Sequence, residues 1–69
     1  MKVISSERRG DVRIVLTEGI LGGPGDYAVY IGLYSQDDHT VALHGQKLSA
    51  KEALPFFPNH LKSEDDLRY

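Results

Sequence analysis

The sequence predicts a small α+β domain: a three- to four-stranded antiparallel meander with one short helix packed on one face. Three observations predict it. Residues 11–17 alternate with the period of a half-buried strand, and residues 27–34 are dominated by the strand-forming tyrosine, valine and isoleucine. Glycine, proline and aspartate punctuate the chain between such stretches. Near the C-terminus a single helix-start pattern precedes a proline-interrupted apolar run, so the helical content is small.

Val3-Ile4-Ser5-Ser6 reads as a short first strand, and Glu7-Arg8-Arg9-Gly10-Asp11 as the turn that ends it, with Gly10 able to take a positive φ. The next strand runs from Asp11 to Thr17. Val12, Ile14 and Leu16 fall on one face, and Arg13, Val15 and Thr17 on the other. The stretch 19–26 holds four glycines and a proline and is read as an irregular connection. Its apolar pair, Ile20 and Leu21, is a candidate recognition tip. A phosphate-binding reading of the same loop fails, because a strand rather than a helix follows and Pro24 removes an amide.

Tyr27 to Tyr34 is dominated by strand-forming residues. Tyr27, Val29, Ile31 and Leu33 share its inner face, and Ala28, Tyr30, Gly32 and Tyr34 the outer one. Gln36–His39 is read as a tight turn into a further strand, Thr40–His44, with Val41 and Leu43 inward and His44 outward. Ser49-Ala50-Lys51-Glu52 fits a capping box. A short helix then runs through Ala53 and Leu54 until Pro55 and Pro58 stop it. Residues 63–69 are expected to be a second turn or a frayed tail. The expected core is Val12, Ile14, Leu16, Val29, Ile31, Leu33, Val41, Leu43, Leu48, Leu54, Phe56 and Phe57.

The 69 residues make one domain, 1–69, with a thin core. No cysteine is present to staple it. Oligomerisation is a common remedy at this size, so a homodimer is expected. The lack of cysteine also suits a reducing compartment. The N-terminal segment has no apolar run of the signal-peptide kind, and no stretch is long and apolar enough for a membrane helix. The localisation expected is cytoplasmic, without a membrane partner.

Charge argues against a nucleic-acid protein. The formal net charge is −2, whereas phosphate neutralisation supplies most non-specific affinity. The charge is uneven: residues 1–13 carry four basic and two acidic side chains, and residues 14–69 four basic and eight acidic. No nucleophile–base pair, metal cluster or cofactor motif appears, and a domain this small has little room for a substrate cavity. His39, His44 and His60 are the residues able to exchange protons near neutral pH, and none is accompanied by an orienting group in the sequence. No catalytic residue, metal ligand or cofactor is therefore assigned. Arg9-Gly10-Asp11 matches an adhesion-receptor tripeptide but lacks the secreted context that would give it meaning.

The outer sheet face, with Arg13, Tyr30, Tyr34 and His44, is the expected contact surface, since tyrosine and arginine are favoured at interface hot spots. Ile20 and Leu21 in the glycine-rich loop and the acidic tail Glu64, Asp65 and Asp66 are secondary contact candidates. The function expected is that of a non-catalytic protein-binding regulator or inhibitor acting stoichiometrically on a protein partner. The category expected is a regulator or inhibitor encoded by bacteria or their phages, anti-defence proteins included. The rival expectation is a single-stranded nucleic-acid module that stacks bases on the same tyrosines.

Overall fold

A computed structural model describes residues 2–19, 22, 25–63 and 67. Ile20, Leu21, Glu64, Asp65 and Asp66, named above as contact candidates, lie outside the described residues. Four strands form one antiparallel sheet in sequential order: β1 (Lys2–Arg9), β2 (Val12–Glu18), β3 (Ala28–Leu33) and β4 (Gln46–Lys47). The meander and the α+β class are as the sequence predicts. Two short helices accompany it, α1 (Asp38–His44) and α2 (Ala50–Ala53), the second running into a 3₁₀ turn over Leu54–Phe56.

β1 continues to Arg9, beyond the expected end at Ser6, and the turn shrinks to Gly10 and Asp11. Gly10 takes φ 60° while Asp11 does not have positive φ, the pattern of a type II′ hairpin whose twist matches its strands. A bulge between Val3 and Ser5 shifts the β1–β2 register, so Ile4 and Ser5 lie on the same side of the sheet.

The largest correction concerns 38–44. The expected strand Thr40–His44, and the hairpin pairing it with β3, do not form; those residues are helix α1. Asp37 caps the helix by accepting a hydrogen bond from the Thr40 N–H at 2.7 Å, Asp38 sits in its first turn, and the Gly45 N–H donates to the Val41 carbonyl at its end. After Gly45 the chain returns to pair with β3 through Gln46 and Lys47, so the fourth strand exists but begins after the expected one ends.

The helix changes what the sheet buries. One face carries Ile14, Leu16 and Val29, which pack with Ala53, Phe57 and Leu61 and, at the edge of that cluster, Ile4, Tyr27, Ile31, Leu48, Leu54, Phe56 and Leu67. The other face, expected to be open, is covered by α1: Val15, Val41 and Ala42 form a second cluster, with Val3 and Tyr30 packed against it. Val15, Thr17 and Ala28 are accordingly fully buried, and the Thr17 hydroxyl donates to the Ala28 carbonyl at 3.1 Å. Leu33 and Leu43, expected inside, are 60% and 63% exposed. Leu33 lies at the end of β3, and a helical turn rotates Leu43 outward where a strand would have turned it in.

α2 follows its sequence signal. The Ser49 hydroxyl accepts from the Glu52 N–H at 3.4 Å, and its oxygen lies 2.8 Å from the Glu52 carboxylate. Pro55 falls in the 3₁₀ turn, where the α-helix has already stopped. In the tail, Leu67 forms an isolated parallel bridge with Tyr27.

Candidate functional surface

The four residues expected to share a contact face are divided by the fold. Tyr30 is half-buried in the cluster beneath α1, so it offers no open aromatic platform. His44 lies exposed in the last turn of α1 rather than on a strand. Arg13 is an internal tie: one Nη donates to Asp38 Oδ1 at 2.9 Å and the other to the Tyr34 carbonyl at 3.1 Å, joining β2 to the start of α1. Its Nε is buried without a partner among the described residues. Of the two tyrosines, Tyr34 keeps its exposure, at 42%, in the turn beyond β3.

That ring is the centre of a corner at the hairpin end of the sheet. Arg13 pairs across the sheet with Arg8, and Tyr34 continues the β3 edge by donating its N–H to the Asp11 carbonyl at 3.0 Å. The Arg8 guanidinium consequently lies 3.6 Å from the centroid of the Tyr34 ring, and that of Arg13 lies 5.8 Å away. Arg8 Nε donates to the Gly10 carbonyl at 3.0 Å, which fixes the plane of the guanidinium. On the other side of the sheet, Arg9 and Leu33 are both register partners of Val12. The Arg9 guanidinium stands 5.4 Å from the Phe56 ring centroid.

The charges here are largely neutralised from within. Arg9 pairs with Glu7 at 2.7 Å and Arg13 with Asp38 at 2.9 Å. Arg8 has no carboxylate partner among the described residues. It is therefore a stacked, oriented cation beside an exposed tyrosine. Sequence reasoning named Tyr34 as a contact and placed Arg8 in a turn as added charge, but not stacked on Tyr34. The missing signal was the hairpin register, which sets Arg8 opposite Arg13 and becomes legible once Gly10-Asp11 is taken as a two-residue turn.

His39 and His44 are exposed on α1, and His60 makes an edge-on contact with Tyr27 at 6.3 Å. Among the described residues no group of three or more His, Asp or Glu side chains is placed to hold a metal ion. No helix among those residues is long and apolar enough to cross a membrane. The chain matches no protein-family model, no curated protein and no solved structure.

Proposed function

We propose that this chain is a non-catalytic, protein-binding regulator or inhibitor that engages an acidic protein surface through the corner formed by Arg8 and Tyr34. The observation that carries this reading is the adjacency of an exposed aromatic side chain, Tyr34, with a stacked guanidinium that has no carboxylate partner among the described residues. Arginine and tyrosine are enriched among residues that dominate binding energy, and a pre-oriented cation loses little entropy when it meets a carboxylate. The same corner is a weak nucleic-acid surface. Two of its three arginines are already paired, and affinity for phosphates grows with the number of cations free to neutralise them. The lack of cysteine supports action in a reducing compartment such as the cytoplasm.

The test is quantitative capture of a partner from the native host, comparing the wild-type chain with R8A and Y34A. L43S, which alters an exposed leucine on α1 instead, is the control. R8A and Y34A are each expected to weaken capture about tenfold or more, the scale of a hot-spot residue. L43S should leave it unchanged, with all circular dichroism spectra superposing. Equal capture by wild type, R8A and Y34A would remove this reading. Salt-sensitive oligonucleotide binding at micromolar concentration would replace it with the nucleic-acid one.

A further inference from the structure

We infer that two copies of this chain join edge to edge through β1, making one continuous eight-stranded sheet with Lys2 of each copy opposite Glu7 of the other. The sheet order leaves β1 at an edge, so one side of an eight-residue strand has no strand partner among the described residues. The opposite edge, β4, is two residues long. An edge of β1's length is a template for another strand.

The geometry of β1 selects the register. Register with β2 puts Lys2, Ser5, Glu7 and Arg9 on the face of Ile14 and Leu16, and Val3, Ser6 and Arg8 on the face of Val15. Ile4 packs with the Ile14 and Leu16 cluster, and Val3 with that of Val15. Two copies running antiparallel about a two-fold axis must match side chains of the same face. Pairing Lys2 with Glu7, Val3 with Ser6 and Ile4 with Ser5 does so at every position. In an unbulged strand these odd-and-even pairs would point to opposite faces; the extra residue at the bulge brings them into step.

Charge favours the same register. Sliding the copies until Lys2 meets Arg9 opposes two cations, and centring the axis on Glu7 opposes two carboxylates. In the matched register each Lys2 meets a Glu7 instead, and cross-strand opposite charges are stabilising. Both Arg9 nitrogens in contact with Glu7 bind the same oxygen, Oε1. The two half-buried Ile4 side chains come together diagonally near the axis on one face. The contact surface at Arg8 and Tyr34 is not needed for this pairing, so the inference stands apart from the proposed function.

Sedimentation velocity between about 5 and 200 µM is expected to give the two-chain mass for wild type. K2E sets two carboxylates against each other twice across the axis and should weaken the dimer about tenfold, while K2E/E7K should restore it. A one-chain mass at every concentration, or K2E dissociating like wild type, overturns the inference. A second measurement tests the register. The chain has no native cysteine. In K2C/E7C the two thiols of one chain are separated by about 17 Å of strand, too far to bond to each other. Mild oxidation should give a closed covalent dimer; a monomer, or a ladder of longer covalent oligomers, overturns the register.

Discussion

Gly45 shows how one position controls the path of the chain. A Cβ there would lie 2.4 Å from the Val41 carbonyl oxygen and 2.8 Å from that of Ile31, both backbone atoms that cannot swing aside. Gly32 also lies beneath α1, but a Cβ there would meet side chains: Gln36 Oε1 at 2.8 Å and Val41 Cγ2 at 2.9 Å. Overpacking typically costs roughly 1–3 kcal/mol. Gly45→Ala should fall at the upper end and Gly32→Ala at the lower, and urea unfolding of the two variants checks the ranking. Arg13 invites a different test. Since its guanidinium is spent on Asp38 and the Tyr34 carbonyl, Arg13→Met should lower stability by about 1 kcal/mol, the modest value of a partly exposed charged tie. A partner contact by Arg13 would instead show as lost capture with unchanged stability.

At the scale of the element, α1 decides most of what differs from the sequence reading. Thr40 to His44 alternates apolar and polar as a strand does, and Val41 points inward under either reading. Seven residues are too few for periodicity to separate the two, but the ends carried the information. Asp37, with Asp38 in the following turn and Gly45 just past the last turn, is a helix-bounding pattern. The Asp37 carboxyl is held below its ordinary pKa range, first by the hydrogen bond from the Thr40 backbone N–H and then by the Thr40 side chain. A carboxylate with a lowered native pKa contributes stability above its unfolded pKa and loses it as pH falls through the native value. Asp37→Asn, which keeps an acceptor but cannot titrate, should therefore flatten part of the acid limb of a thermal-stability profile below about pH 4, and Asp37→Ala should lower the melting temperature at neutral pH. Val41→Ala removes the helix's fully buried anchor. Its cost of about 2 kcal/mol corresponds to roughly 10 °C in melting temperature for a domain this small.

For the whole molecule, helix on one face and apolar segments on the other bury the central strands on both sides, so Val15, Leu16, Ala28 and Val29 are all inaccessible. The Cα radius of gyration is 10.8 Å, against about 11 Å expected of a single compact domain of this length. Two covered faces leave the β1 edge as the place where the sheet itself can grow. If the dimer couples to folding, the melting temperature of wild type should rise by several degrees between 1 and 100 µM, by mass action. K2E should shift that dependence to about tenfold higher concentration and, because Lys2 is also the register partner of Glu18, should lower the melting temperature at the lowest concentration as well.

The sequence by itself determined the antiparallel meander, the inward set Ile14, Leu16 and Val29, and the capped α2 stopped near Pro55, because each rests on neighbours within a few residues: alternation, a cap, a proline. It also singled out Tyr34, whose ring the fold leaves exposed. Only the tertiary structure decided that the second sheet face is closed, that Tyr30 and Arg13 are turned to internal use, and that Arg8 stacks on Tyr34. The reason is physical. Alternation places side chains on one face or the other, but whether a face meets water depends on what the intervening segment does, and 38–44 folds as a helix once Val41 and Ala42 find Val15 across the chain.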